Sequence, residues 1–231
     1  MKPALIVALD VPTAREMEEA LDQMPDIIEW YKVGLELFCA AGPACLEPLK
    51  KRNKKIFLDL KLHDIPRTVA NAVKTAASHG VNLLTVHAIG GRAMLEAAAE
   101  AARECSNPPK LAAVTTLTSL SQDDFADLGI SRTVSEQALA LGELAISSGI
   151  DGLVTSAHEA GVLHKKFPDS LLVVPGIRMP DGEIGDQKRV ATPAFAVHQG
   201  ATHLVVGRPI LQAEYPESVV AAIFADIKNA S

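Results

Sequence analysis

Residues 55–62, with the sequence KIFLDLKL, form a short apolar run that decides how this chain is expected to fold. Successive side chains of a strand point to opposite faces of its sheet. One face of this run therefore carries Ile or Leu throughout, and the other carries Phe57, Asp59, Lys61 and the following His63. We expect the aliphatic face to pack on helices, so that Asp59 and Lys61 point inward, where charge is costly unless it is paired or used. An exposed strand with an incidental ion pair is the alternative, but the aliphatic neighbours argue against exposure.

Similar apolar runs recur along the chain, each followed by a segment with helical spacing. They span residues 4–10, 29–34, 81–88, 111–118, 151–157, 170–178 and 202–209. No Ser/Gly linker, low-complexity tract or sequence repeat separates them, so we expect one catalytic domain over residues 1–231. This alternation predicts an α/β fold, a single (β/α)8 TIM barrel. An open doubly wound sheet shares the pattern and is the rival architecture.

The predicted helical segments are mostly rich in Ala and Leu, which suits helices packed on a sheet. They span residues 13–24, 66–78, 92–104, 134–147, 158–166 and 216–228. Thr13 and Glu16 have the spacing of a capping box, and Gly80 and Gly149 stand where helices are expected to stop. Local capping signals therefore agree with the periodicity.

Bulk composition excludes several classes of partner. The 231 residues are 48% hydrophobic and 22% charged, as is ordinary for a globular protein. The net charge of −6 gives no broad positive field for nucleic acid or an anionic membrane, although a few placed cations suffice for one phosphate. The first apolar run ends at Asp10, too early for a signal peptide or membrane span, so we expect a cytoplasmic protein. Cys39, Cys45 and Cys105 show no metal-like spacing, and we expect them to be buried thiols.

Polar and charged residues stand at the ends of the predicted strands. They are Asp10, Lys32, Asp59, Lys61, His87, Thr118, Ser156, Arg178 and Arg208. In α/β barrels the carboxyl ends of the strands form the rim where active sites lie. The histidines lack the spacing of metal ligands, so we expect no metal site and interpret His63 and His87 as structural.

At the third strand the sequence resembles the orotidine 5'-monophosphate decarboxylase family, in its compact bacterial form. The family motif Asp-x-Lys-x-x-Asp-Ile-Pro-x-Thr stands here as Asp59, Lys61, Asp64, Ile65, Pro66 and Thr68. Related sugar-phosphate enzymes on this barrel share the first half of the motif, whereas the Ile-Pro-x-Thr extension is more specific. Further matches follow in chain order at Asp10, Lys32 and residues 117–119, 175–178, 185–187 and 207–210. The resemblance covers nearly the whole chain.

The resemblance implies an enzyme without cofactor or metal that converts orotidine 5'-monophosphate to uridine 5'-monophosphate and CO2. Loss of CO2 from C6 of the pyrimidine leaves a carbanion without a conventional electron sink, so fixed charges must stabilise it. Lys61 is expected to stabilise that charge and then to donate the proton; a purely structural ion pair with Asp59 is the alternative. Asp59 is expected near the substrate carboxylate, in a network of alternating charge with Lys32, Lys61 and Asp64. Asp64 is implied to come from the neighbouring subunit of a homodimer with active sites at the subunit interface.

The resemblance also assigns residues to the ribose and the base. Asp10, Lys32 and Thr68 match residues that bind ribose hydroxyls, and a carboxylate is a sensible acceptor for a sugar diol. Thr118, with Ser119 beside it, can offer hydroxyl and backbone groups to the pyrimidine edge. From the residues alone, Lys32 as a strand-end lysine, Asp10 as a strand-end cap and Thr118 as a polar strand end stay open.

The phosphate is assigned to the end of the last strand. Gly207 and Arg208 supply backbone donors and a fork-shaped cation there, and Arg178 adds a second cation. Gln187 lies in the stretch 179–192, which is rich in Gly and Asp and is interpreted as a lid that closes over the nucleotide. A passive surface loop is the alternative for that stretch.

Two other functions fit parts of this sequence. A Mg-dependent sugar-phosphate decarboxylase or hexulose-phosphate synthase shares the acidic core of the motif. Such relatives use Glu at the second-strand position where this chain has Lys32, whose charge opposes a metal nearby. A non-catalytic phosphate-binding or scaffold protein would keep the fold without the chemistry, and the joint presence of Asp59, Lys61 and Asp64 argues against it.

Overall fold

A computed structural model of the chain describes residues 3–179 and 191–230. Within these ranges, eight parallel strands form a closed barrel in which each strand pairs with the next and the last pairs with the first. The strands are β1 (Ala4–Ala8), β2 (Trp30–Gly34), β3 (Lys55–Leu62), β4 (Leu83–His87), β5 (Lys110–Val114), β6 (Gly152–Val154), β7 (Leu171–Val174) and β8 (His203–Val206). The predicted (β/α)8 barrel is thus confirmed, and closure between β8 and β1 rules out the open sheet.

Helices of the described ranges surround the barrel. They are α1 (Ala14–Asp22), α2 (Leu35–Ala41), α3 (Glu47–Lys51), α4 (Pro66–Ser78), α5 (Arg92–Arg103), α6 (Gln122–Asp127), α7 (Val134–Ser147), α8 (Ala157–Lys166), α9 (Pro193–His198), α10 (Arg208–Leu211) and α11 (Pro216–Asn229). Short 3-10 turns lie at Gly42–Leu46 and Ala88–Gly90. All six predicted helices are present, with bounds that differ by at most two residues. None of these helices is long and apolar enough to cross a membrane.

Capping residues set the helix bounds as the sequence indicated. The Thr13 hydroxyl accepts a hydrogen bond from the backbone N–H of Glu16 at 3.2 Å, which satisfies one of the donors left open in the first turn of α1. Gly80 and Gly149, just beyond α4 and α7, have φ values of 78° and 87°. Glycine adopts this left-handed conformation without steric cost, so the chain can leave the helix there.

The core has two layers. The interior of the barrel is filled by the buried cluster Ile6, Ala8, Phe57, Leu83, Ala112, Val173 and Val205. A larger buried cluster lies between the strands and the helices. It contains the side chains on the opposite faces of the strands, such as Ile56 and Leu58. Phe57 therefore faces the barrel interior while its neighbours face the helices, as the alternation in residues 55–62 predicted. Each fully buried side chain of this kind contributes about 1.5–3 kcal/mol to stability.

The cysteines differ in their surroundings. Cys45 is buried, as expected, and its thiol donates to the carbonyl of Gly42 at 2.9 Å. Cys105 is partly exposed and Cys39 is exposed, and all three are free thiols. The expectation of buried packing was wrong for Cys39 because α2 turns Leu37 toward the core and leaves the side with Cys39 in solvent.

The N-terminal end of the barrel contains a buried histidine. The rings of His203 and Trp30 lie edge to face with centroids 5.5 Å apart. Burial, and to a lesser extent the charge of Lys55, lowers the pKa of His203 from 6.5 to about 4. The His203 side chain is therefore neutral in the folded protein near pH 7.

We expect the free energy of unfolding to fall as the pH decreases from about 6.5 to about 4. The unfolded chain binds a proton at His203 in this window and the folded chain does not, so His203 lowers stability in acid by up to ~3 kcal/mol and has no such effect above the window. Urea unfolding near pH 7 and near pH 4.5 measures this difference. His203→Gln should reduce it, whereas the control His198→Gln, at an exposed position in α9, should not. An unchanged pH dependence in His203→Gln would contradict the assignment.

Candidate active site

A cavity of about 610 Å³ opens at the carboxyl ends of the strands. Its lining residues are Ala8, Asp10, Lys32, Glu36, Phe57, Asp59, Lys61, Leu117, Thr118, Ser119, Val154, Val173, Pro175, Gly176, Arg178, Val205, Gly207, Arg208 and Gln212. The volume suits a small-molecule ligand, and the mixture of an apolar floor with a few convergent polar groups is typical of such sites. Seven of the nine polar residues that the sequence placed at strand ends line this cavity, and His87 and Ser156 do not.

The end of β3 holds a close ion pair. Lys61 Nζ donates to both carboxylate oxygens of Asp59, at 3.0 and 2.9 Å. The Asp59 side chain is 14% exposed, so solvent screens its charge weakly. Lys61 also has a φ of 51°, a left-handed conformation that costs a residue other than glycine roughly 1–2 kcal/mol. Strain of this kind persists where surrounding contacts impose it, and it concentrates at functional sites.

Lys32 and Asp10 extend the ion pair into a row. Lys32 Nζ lies 2.7 Å from Asp10 Oδ1 and 3.9 Å from Asp59 Oδ2. The row Asp10, Lys32, Asp59, Lys61 therefore alternates in charge across the ends of β1, β2 and β3. The side chains of Lys32 and Asp59 are 10% and 14% exposed, so loss of either would leave the charge of the other poorly compensated where solvent screens it weakly.

Gly34 borders this charge row, although no motif in the sequence singles it out. A Cβ atom at Gly34 would lie 2.7 Å from Lys32 Nζ and 3.2 Å from Asp10 Oδ1. Any other residue at this position would therefore displace the Lys32 ammonium. A glycine in a strand often marks such a close approach, but the sequence alone does not say what approaches.

The opposite wall carries the two predicted arginines. Arg178, just beyond β7, is 8% exposed, and its Nη1 donates to the Ile177 carbonyl at 2.9 Å. Its backbone N–H donates to the carbonyl of Ala191 at 2.9 Å, so both ends of the 179–192 stretch lie beside the cavity. Gly207 is the N-cap of α10 and Arg208 is its exposed first residue. Two guanidinium groups thus border the side of the cavity formed by β7 and β8.

The remaining polar wall is formed by residues beyond β5 and by two helices. Thr118 and Ser119 line the cavity after β5. Glu36 of α2 and Gln212 at the end of α10 line it too, although neither was predicted from the sequence. Gln212 stands four residues after Arg208, the first residue of α10, so the helical rule that residues i and i+4 share a face could have identified it. Glu36 has no such signal, because Lys32, four residues earlier, lies in β2.

Two of the predicted site residues do not line this cavity. Asp64 and Thr68 are exposed, and Asp64 Oδ1 accepts a hydrogen bond from the backbone N–H of Ile65 at 2.6 Å. Gln187, the motif at 185–187 and most of the proposed lid lie outside the described residues. The cavity of one chain therefore brings together Asp10, Lys32, Asp59, Lys61, Thr118, Arg178, Gly207 and Arg208.

His63 and His87 lie beside each other near Lys61. Their rings stack with centroids 5.6 Å apart and an interplanar angle of 30°. Burial lowers the pKa of His87, and the charges of His63 and Lys61 lower it further. His87 is therefore a neutral packing partner near pH 7. In the described ranges, no group of three or more His, Cys, Asp or Glu side chains is arranged to hold a metal ion.

The geometry suits an elongated small molecule with an anionic end. Arg178 and Arg208 can pair with an anion near β7 and β8. The charge row lies across the cavity at β1 to β3, where the Lys61 ammonium can stabilise negative charge that develops on a bound molecule and can then supply a proton. The apolar floor beneath these groups lowers the local dielectric, which strengthens both interactions.

Comparisons with known proteins agree with this arrangement. Residues 3–223 match the Orotidine 5'-phosphate decarboxylase / HUMPS family. Orotidine 5'-phosphate decarboxylase of Gloeothece citriformis is 50% identical over 214 residues, 92% of each chain. The enzyme of the same name from Hydrogenovibrio crunogenus is 46% identical over 226 residues, which cover 97% of this chain and 96% of the relative. The crystal structure of orotidine 5'-phosphate decarboxylase from Lactobacillus acidophilus superposes with a TM-score of 0.86 at 38% identity, covering 98% of this chain and 99% of that one.

Proposed function

The chain belongs to the Orotidine 5'-phosphate decarboxylase / HUMPS family, and on that premise we propose that it is an orotidine 5'-phosphate decarboxylase. This carboxy-lyase converts orotidine 5'-monophosphate to uridine 5'-monophosphate and CO2, a step of de novo pyrimidine biosynthesis. The observation that carries the proposal is the Lys61 ammonium held by Asp59 in a cavity with arginines on its far wall. Lysine and aspartate side chains supply the charges at the reacting centre, so we propose that catalysis needs neither metal nor cofactor.

In the proposed reaction the bond between C6 and the carboxyl carbon breaks, and its electron pair stays on C6. The Lys61 ammonium stabilises that charge and then transfers a proton to C6, after which Lys61 regains a proton from solvent. Asp59 lies near the substrate carboxylate and holds the Lys61 ammonium in position. Lys32 Nζ lies 3.9 Å from Asp59 Oδ2 and offsets part of the negative charge of that carboxylate. The charge row therefore exists before substrate binds, which avoids reorganisation during the reaction.

We propose that the rest of the nucleotide lies across the cavity. Asp10 and Lys32 bind ribose hydroxyls, and Thr118 binds the pyrimidine edge, with Ser119 beside it. Gly207, Arg208 and Arg178 bind the phosphate, together with Gln187 from a lid formed by residues 179–192. The hydrogen bond from the Arg178 backbone N–H to the Ala191 carbonyl supports this proposal. It holds Ala191, near the end of the stretch, beside a residue that is proposed to bind the phosphate. Binding energy from the phosphate can then close the lid and raise the rate as well as the affinity.

We expect Arg208→Ala to harm nucleotides that carry the 5'-phosphate far more than nucleosides. Its guanidinium is assigned to the phosphate, and a charge-assisted hydrogen bond contributes about 1.5–3 kcal/mol, or roughly 10- to 100-fold in kcat/KM. Steady-state kinetics with orotidine 5'-monophosphate and with orotidine measure the two effects. Arg132→Ala, at an exposed position outside the cavity, is the control. Equal losses for both substrates would contradict the assignment.

We also propose a homodimer in which Asp64 and Thr68 of each chain complete the partner's site, Thr68 at the ribose. The exposure of both residues supports this, as does their position outside their own cavity. Beside them Ile65 is 66% exposed, and Leu35 and Ile89, beyond β2 and β4, are each 52% exposed. Large aliphatic side chains beyond three adjacent strands are typical of a surface that a partner covers. A two-fold interface there would place both active sites along the contact.

Three further features are the domain organisation, the cellular location and the class of substrate. We propose that residues 1–231 form one catalytic domain and that the protein acts in the cytoplasm. The net charge of −6 supports a small-molecule substrate over a nucleic acid or membrane partner.

The experiment that tests the proposed function must separate it from the metal-dependent rival within the same family. Purified protein is incubated with orotidine 5'-monophosphate, and loss of the substrate absorbance in the ultraviolet is followed. A parallel sample receives hexulose 6-phosphate with Mg²⁺. Turnover of the nucleotide alone supports the proposal, and turnover of the sugar phosphate alone would replace it with the rival.

A further inference from the structure

The pairing of β3 with β4 is interrupted beside the charge row. Leu58 pairs with Leu84 in regular register, but the next pair is Leu62 with Val86. Three residues of β3, from 59 to 61, therefore lie opposite one residue of β4, which is Thr85. Such an irregularity bends the strand and leaves ladder groups to be satisfied in another way.

Thr85 satisfies these groups with its side chain. The backbone N–H of Lys61 donates to Thr85 Oγ1 at 2.8 Å, and the Thr85 hydroxyl donates to Asp59 Oδ1 at 3.0 Å. Thr85 is 0% exposed, so water does not compete for these bonds. A hydroxyl has one hydrogen to donate and lone pairs to accept, and both functions are used here. Thr85 thus links the backbone of the proposed proton donor to the carboxylate that orients its ammonium.

We propose that Thr85 is a positioning residue for the decarboxylation, an inference that rests on the proposed function. Its hydroxyl holds Lys61 in the left-handed conformation, at a φ of 51°, and fixes the rotamer of Asp59. The same carboxylate oxygen receives Lys61 Nζ at 3.0 Å, so the hydroxyl determines where the ammonium stands relative to the substrate. Thr85 does not line the cavity and acts through Asp59 and Lys61.

The contribution of the hydroxyl can be separated from that of packing. Thr85→Val keeps the shape of the side chain and removes both hydrogen bonds, whereas Thr85→Ser keeps the hydroxyl and removes a methyl group. Thr155→Val is a matched control, because Thr155 follows β6, is also 0% exposed, and its hydroxyl has no hydrogen-bond partner among the described residues.

We expect Thr85→Val to lower kcat about 10- to 100-fold, the loss that follows when a catalytic group moves by about 1 Å. The dissociation constant of uridine 5'-monophosphate should change by less than about threefold, because the phosphate and ribose ligands are untouched. Thr85→Ser and Thr155→Val should keep kcat within about threefold of wild type. Hydrogen exchange of the Lys61 amide should become faster in Thr85→Val and stay slow in Thr155→Val.

The outcomes separate the two proposals. If the wild-type protein does not decarboxylate orotidine 5'-monophosphate, the proposed function fails. If the wild type is active and folded Thr85→Val keeps a normal kcat, the positioning role of Thr85 is wrong. Equal losses in Thr85→Val and Thr155→Val, or no recovery in Thr85→Ser, would also overturn it in favour of general packing. If Thr85→Val is insoluble, Thr85→Ala is measured against the same expectations.

Discussion

Lys61→Ala is expected to lower kcat for decarboxylation of orotidine 5'-monophosphate by at least ~1000-fold, the scale of loss for a single electrostatic catalytic group. The change removes the ammonium that Asp59 holds at 2.9 Å, and with it the group proposed to stabilise the carbanion and to donate the proton. The arginines on the far wall remain. Binding of uridine 5'-monophosphate should therefore persist.

The control for this variant lies on the same strand. Lys55→Ala removes an exposed lysine at the other end of β3, where its Nζ pairs with Glu29 at 3.0 Å. Its turnover should match wild type, because it lies at the N-terminal end of the barrel. Near-normal turnover in Lys61→Ala would remove Lys61 from the mechanism.

The second large effect concerns assembly, because each complete site is proposed to need Lys61 from one chain and Asp64 from the other. Lys61→Ala and Asp64→Ala should each be inactive alone. When the two are mixed and exchange subunits, a mixed dimer has one doubly mutated site and one intact site. Random exchange makes half of the dimers mixed, so about a quarter of the wild-type activity should return.

A second mixture provides the control. Asp59 and Lys61 lie in one cavity of one chain, so Lys61→Ala mixed with Asp59→Ala leaves every site damaged. That mixture should stay inactive. If mass spectrometry verifies exchange and the first mixture also stays inactive, Asp64 does not complete the partner's site in the proposed way.

The sequence predicted the parts of the fold that depend on local patterns. Helix bounds at 66–78 and 134–147 followed from periodicity with glycines beyond the ends, and Asp59 and Lys61 followed from alternation within one strand. Short helices such as α6 and α10 were missed because four to six residues carry little periodic signal. The strand ends indicated the site because a closed parallel barrel brings all of them to one rim.

Residues whose function depends on three-dimensional register could not be predicted. Thr85 stands in an apolar strand and resembles any buried threonine until the interrupted pairing with β3 brings its hydroxyl to Asp59. A side chain at Gly34 would displace the ammonium of Lys32, two residues earlier, because its Cβ would lie 2.7 Å from that group. This close approach is visible only in the structure. Glu36 was missed because a glutamate in a helix usually faces solvent.

We propose that this barrel decarboxylates orotidine 5'-monophosphate with its own lysine and aspartate charges. The most direct test measures uridine 5'-monophosphate formation by protein that has been treated exhaustively with a chelator and shown by elemental analysis to be free of metal. We expect turnover equal to that of untreated protein, unchanged when Mg²⁺ or Zn²⁺ is added. Absence of uridine 5'-monophosphate, or a large loss that Mg²⁺ or Zn²⁺ restores, would contradict the claim.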